Sequence, residues 1–215
     1  MPSIFRWFSG AGRSPDVYAS FDELSRRERE GEAWRVVSRL GASGIAVVAP
    51  HGGGIEPGTS ELASAIAGAE HSLYLFEGLK RSGNGRLHIT STNFREPRLS
   101  EIETRADVLI AVHGEASEDS IVYVGGLHDE LAARIGQGLS EAGFSVAKHD
   151  VLAGLEPTNV CNRGRSARGV QLELSAGLRR RMFQSLDRAG RAFPTAVFER
   201  FVRAICTTVE GFTDS

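Results

Sequence analysis

Two apolar runs in this 215-residue chain end in the same kind of chemistry. Ile45–Ala49 passes through Pro50 into His51-Gly52-Gly53-Gly54-Ile55-Glu56, and the run from Asp107 to Val112 ends in His113-Gly114. Two histidines and one carboxylate form a ligand set that zinc accepts in hydrolytic sites, with a fourth position left open. A metal held there would acidify water and polarise a carbonyl. His51, Glu56 and His113 are therefore the candidate metal set. Their spacing suits a strand end and the loop after it rather than the helical HExxH arrangement. Glu61 replaces Glu56 if that loop curls differently. The three consecutive glycines leave room for close backbone approach to a ligand or metal shell. His88, near Thr90 and Ser91, could line the same cleft; His71 and His149 read as structural histidines at element edges, and His128 as a surface residue.

The glycine loop also has rivals. A Walker loop needs a lysine before Ser or Thr, and Pro57-Gly58-Thr59 has none beside it. A dinucleotide loop needs bare backbone where this chain carries His51 and Glu56. The HGGG run has the look of a hydrolase oxyanion loop, but no GxSxG elbow supplies a serine nucleophile. A Cys161–histidine pair is a further alternative, set against the tendency of such thiols to be buried and inert.

The elements that must position these residues alternate between strand and helix. Strands are expected at Trp34–Val37, Ile45–Ala49, Ser72–Phe76, Leu87–Ser91, Asp107–Val112, Ile121–Val124, Phe144–Ala147 and Gly169–Ser175. The first two read as a hairpin across Gly41–Gly44. Helices are expected from Phe21 to about Glu30 after a Ser20 cap, from a Thr59 or Ser60 cap to Ile66, and over His128–Leu139, Leu178–Leu186 and Pro194–Val209. Gln171, Glu173 and Ser175 alternate with Val170, Leu172 and Leu174, so Glu173 faces solvent or a polar cleft. The pattern predicts an α/β fold, with residues 1–17 as a loose leader and 18–215 as one α/β/α domain around a mixed sheet.

A formal net charge of −2 gives no overall reason to expect nucleic acid or a membrane. Local clusters carry more information. Arg163, Arg165 and Arg168 precede Glu173, and Arg179, Arg180 and Arg181 follow it. Such cations would attract a substrate with repeated free carboxylates, contact phosphates, or simply solvate a helix end; the second triplet reads as surface, because three consecutive helical residues cannot face one cleft. Cys161 and Cys206 are expected to be reduced thiols. No segment resembles a signal peptide or membrane span, so the expected location is cytoplasmic as synthesised, with release by host-cell lysis compatible with that.

The segments APHGGGIEPGTSE at 49–61, LIAVHG at 109–114 and CNRGRSARGVQLELS at 161–175 resemble the poly-γ-glutamate hydrolase family. These are phage-related zinc enzymes with a metallocarboxypeptidase-like fold. The resemblance runs from about Tyr18 to Val209 and implies one Zn2+ on His51, Glu56 and His113, with Glu173 as the glutamate that activates water. It also implies that Asn162-Arg163 grips a substrate carboxylate or the developing oxyanion, with Arg163 among the catalytic residues. Arg165, Arg168 and His88 complete the expected substrate-binding set. The γ linkage of the anionic glutamyl polymer rests on the resemblance alone. A zinc amidase acting on cell-wall peptides or acylamino acids, and a non-catalytic polyanion-binding module, are the alternatives.

Overall fold

The computed structural model describes residues 16–213. Its core is a mixed seven-stranded sheet. The strands are β1 (Trp34–Arg39), β2 (Ile45–Gly53), β3 (Ser72–Gly78), β4 (Val108–Gly114), β5 (Ile121–Gly125), β6 (Ser145–Ala147) and β7 (Val170–Leu174). Their spatial order is β1-β3-β2-β4-β7-β5-β6. The parallel strands β3, β2, β4 and β7 lie side by side and are buried along their whole lengths, as near-continuous apolar runs require.

Among the described residues, six helices cover the sheet: α1 (Phe21–Arg27), α2 (Thr59–Ala67), α3 (Pro97–Arg105), α4 (Asp129–Glu141), α5 (Ala176–Met182) and α6 (Ala196–Thr213). Apolar faces of α2, α4, α5 and α6 pack with Val47, Ile110 and Leu172 on one side of the sheet. On the other side, α1, α3, Trp34 and Phe94 pack with Val48, Leu109 and Ala111. The α/β architecture matches the sequence reading. Among the described residues no helix is long and apolar enough to cross a membrane.

Several local expectations are corrected. β1 pairs antiparallel with β3, so β1 and β2 form no hairpin. The Gly41–Gly44 turn instead packs on the start of β3, with Ala42 and Ser43 donating backbone N–H bonds to the Glu70 carbonyl. Leu87–Ser91 is not a strand: Asn84–Leu87 forms a 3-10 turn, and Pro97 opens the further helix α3. Ser20 caps α1 as expected, but Gly58 occupies the N-cap of α2 with φ 102°. Thr59 and Ser60 turn their hydroxyls back to the Glu56 carbonyl and the Gly53 amide. His128 is buried as the N-cap of α4, not exposed. Of the expected leader, Asp16 and Val17 are described, and Asp16 is tied into the body of the protein; residues 1–15 lie outside the described residues.

The glycine triplet serves packing within the protein. Space beside Gly52 is taken by the Ser60 hydroxyl, beside Gly53 by the Gly78 backbone and beside Gly54 by Asn84. The β2–β3 register gains one extra β2 residue between Ala49 and Gly52, a bulge. Within it, His51 faces Phe94 and the side of the sheet that holds Val48.

Gly53→Ala should destabilise the fold by about 1–3 kcal/mol, because Gly53 has φ +63° and an added Cβ would lie 2.6 Å from the Gly78 carbonyl oxygen. Urea unfolding would measure the loss; an unchanged midpoint and slope would contradict this reading of the bulge.

Candidate metal centre and its surroundings

The C-terminal ends of β2, β4 and β7 bring four buried polar side chains to one face of the sheet. His113 and Glu173 are direct partners in the β4–β7 register, so their side chains leave the same face. Glu56 arrives from the loop after β2, which folds back through bonds from Ile55 N to Gly52 O and from Glu56 N to His51 O. His51, Glu56, His113 and Glu173 are at most 5% exposed.

Both histidines aim the same atom inward. His51 donates Nε2–H to the Ile89 carbonyl at 2.8 Å, which leaves the lone pair on Nδ1. His113 places Nε2 3.4 Å from the Ser91 hydroxyl. The two Nδ1 atoms lie 3.1 Å apart, where facing lone pairs repel unless a proton or cation sits between them. Glu56 Oε1 is 3.3 Å from His51 Nδ1, and Oε2 is 3.6 Å from His113 Nδ1 while accepting the Gly114 N–H at 2.8 Å. Two imidazole nitrogens beside a carboxylate fit zinc, and partners on the outer imidazole nitrogens are what metal-binding histidines usually have.

His88 enters the same space. Its ring lies against that of His51 with centroids 4.0 Å apart, and its Nε2 is 3.9 Å from Glu56 Oε1. His51, Glu56 and His88 therefore also form a compact cluster of metal donors. Of the two third donors we favour His113, because its Nδ1 lies 3.1 Å from His51 Nδ1 and 3.6 Å from the Glu56 carboxylate, against 3.9 Å between His88 Nε2 and that carboxylate. Asp16 holds His88 by accepting from Nδ1 at 2.6 Å, while its other oxygen accepts from the Thr90 amide and hydroxyl. Burial raises the Asp16 pKa, but these bonds outweigh it and leave the carboxyl below its ordinary value. No chemical motif in the sequence distinguishes Asp16; its role comes from proximity in the fold. Glu61, the alternative ligand, is instead paired with Arg191.

Glu173 Oε1 accepts from Gln171 Nε2 at 3.0 Å, and Gln171 is fixed by Asn159 and the Leu152 carbonyl. Tyr123 is the cross-strand partner of Glu173 on β5, and its ring packs edge-on against His149. His149 accepts from the Val151 and Leu152 amides, and His71 bonds Ser43; both serve structure. Arg179 departs from the surface reading of its triplet. It is 5% exposed and donates to the carbonyls of Pro57, Leu174 and Glu115, tying together the loops that carry Glu56 and leave β4 and β7. Arg180 and Arg181 are exposed.

The remaining substrate-site expectations are corrected by position. Arg165 N bonds the Ala106 carbonyl, and Arg168 precedes Val170, the partner of Ile110. These contacts lie at the opening end of β4. Its seven residues separate them from His113 by roughly 20 Å at strand rise. Arg165 pairs with Asp107 there. Arg163 is buried against Glu103 at 2.5 Å and bonds the Phe94 carbonyl; burial pushes the Glu103 carboxyl up and the Arg163 guanidinium down. Asn162 spends both amide donors on the Gly154 and Glu156 carbonyls and its oxygen on the Leu127 and Gly169 amides. Its side chain has no bond left for a substrate.

A family model described as poly-gamma-glutamate hydrolase matches residues 18–204. The UPF0714 protein YndL of Bacillus subtilis (strain 168) is 40% identical over 180 residues, 82% of this chain and 71% of YndL. The zinc-free YndL structure superposes with a TM-score of 0.87 at 37% identity, covering 92% of this chain and 98% of that one. The structure of a bacteriophage poly-gamma-glutamate hydrolase gives 0.89 at 34% identity, with the same two coverages. A putative carboxypeptidase A from Shewanella denitrificans OS-217 shares the fold at a TM-score of 0.50 and 13% identity, over 83% of this chain and 60% of that chain.

Cys161 is free and buried, and burial pushes its thiol up to about 12. Iodoacetamide at pH 8 should therefore leave Cys161 unmodified in the folded protein, as read by peptide mass spectrometry. Rapid alkylation there would revive a cysteine nucleophile.

Proposed function

We propose that this chain, which belongs to the poly-gamma-glutamate hydrolase family, cleaves γ-glutamyl amide bonds with one zinc ion held by His51, Glu56 and His113. The observation that carries this reading is the convergence of two Nδ1 atoms and the Glu56 carboxylate beside Glu173. When bound, zinc supplies Lewis acidity at the scissile carbonyl and makes a neighbouring water a stronger acid. The zinc-free description of the similar YndL structure supports that choice of ion.

Glu173 is the proton carrier in this reading. The Gln171 amide fixes one of its oxygens, so the carboxylate is oriented before substrate arrives. It takes a proton from the attacking water and returns it to the departing amide nitrogen. His88, fixed by Asp16, presents Nε2 to the same space and contacts the substrate there. A module that merely binds polyanions would have no use for three metal-donor side chains buried together.

Glu173→Gln should retain zinc while lowering turnover by about 100-fold or more. Size-exclusion chromatography of poly-γ-glutamate would measure turnover and atomic absorption the zinc. Near-native depolymerisation by that variant would remove Glu173 from its role. Chelation should stop polymer shortening by the parent protein, and added zinc should restore it; full activity after verified zinc removal would reject the metal.

A further inference from the structure

Charge is unevenly distributed around the metal centre. Between Glu77 and Glu96 the chain carries Lys80, Arg81, Arg86 and Arg95 and no carboxylate. After β4, Glu115–Ser120 carries Glu115, Glu118 and Asp119, but α5 sets Arg180 against Glu118 and Arg181 against Ser120, so its charge is largely balanced. An anion approaching along the closing edge of the sheet therefore meets unbalanced positive charge on the β3 side.

The cationic loop is held in place. Gly54 N bonds the Gly78 carbonyl where the loop begins, and Asn84 packs against Gly54 while bonding Lys80 through both side-chain polar atoms. Lys80 is drawn down onto Glu28. Arg81 and Arg86 are exposed, and the same loop runs on to His88, whose Nε2 faces Glu56. From a second segment, exposed Arg188 donates to the Leu79 carbonyl at 3.0 Å, adding another cation to this rim.

We propose that Arg81, Arg86 and Arg188 form a track for the free α-carboxylates of the polymer, leading the chain to the metal centre from the β3 side. The assignment rests on the proposed γ-glutamyl substrate, in which every residue keeps one carboxylate outside the backbone. A charged repeat engages several guanidinium groups at once, and each carboxylate can be held by paired N–H donors. Binding on one side gives the cleft a direction: the longer stretch of polymer lies over the 79–88 loop, and the shorter one points toward the segment after β4.

The test is equilibrium binding of fluorescently labelled poly-γ-glutamate to the full chain, followed by anisotropy across a salt series, with metal removed so that the polymer stays intact. Arg81→Ala/Arg86→Ala should weaken binding about tenfold at low salt and flatten the dependence on salt concentration. Arg165→Ala/Arg168→Ala, with the same loss of charge at the far end of the strands, should bind like the parent, and Arg81→Lys/Arg86→Lys should recover much of the affinity. Equal affinity and salt slope for the first variant and the parent, or equal losses in both double-alanine variants, would overturn the track. If the metal-loaded parent binds polymer on this loop but does not cut it, the hydrolase reading fails and the track stands.

Discussion

The arrangement depends on holding two imidazole Nδ1 atoms and a carboxylate together out of water. His51 and His113 could not keep their nitrogens 3.1 Å apart without direction from behind. The Ile89 carbonyl and the Ser91 hydroxyl provide it, each on the outer nitrogen of one ring. Residues 88–91 thus support two candidate ligands and contribute His88 itself. Asp16 secures this segment through His88 and Thr90, so a residue far upstream in sequence stabilises the geometry of the centre. On the opposite side, Gly114 N holds Glu56, and Arg179 binds the loops together with three carbonyl contacts. The Leu174 carbonyl also accepts from the Glu115 amide, so removing Arg179 would chiefly strand the Pro57 and Glu115 carbonyls, a cost of about 1–3 kcal/mol for each one that stays buried.

The sheet explains why these groups meet. Neighbouring parallel strands deliver their closing ends to one edge, and paired residues such as His113 and Glu173 face the same way. β2 alone would send His51 to the wrong face by its alternation, since Ile45, Val47 and Ala49 pack against the helices on the other side. The bulge between Ala49 and Gly52 reverses that parity. The glycines next to it then fit against Ser60, Gly78 and Asn84. Their importance to the centre is indirect: they let the strand end, the α2 start and the cationic loop pack closely enough to fix His51 and Glu56.

Much of this was legible in the chain. The buried strands β2 and β4 are visible as apolar runs, each followed by histidine and glycine, and the spacing alone points to His51, Glu56 and His113 as neighbours. Glu173 needed the family resemblance, because a strand carboxylate reads equally well as a solvent-facing one. The arginines misled for a physical reason. Arg163, Arg165 and Arg168 are close to Glu173 in sequence, but they precede the strand that carries it, and β7 takes Glu173 to the other end. Leu87–Ser91 has strand-like composition, yet it serves as an irregular support for the centre. Asp16, Gln171 and Arg179 lack any local signal, since each acts through contacts made only when distant segments pack.

The central claim concerns which side chains hold the ion, and anomalous scattering at the zinc edge from crystals grown with zinc tests it most directly. One peak per chain is predicted, bounded by His51 Nδ1, His113 Nδ1 and the Glu56 carboxylate, with zinc–nitrogen distances of about 2.0–2.1 Å. A peak held by His88 in place of His113, or no peak between these side chains, would contradict it.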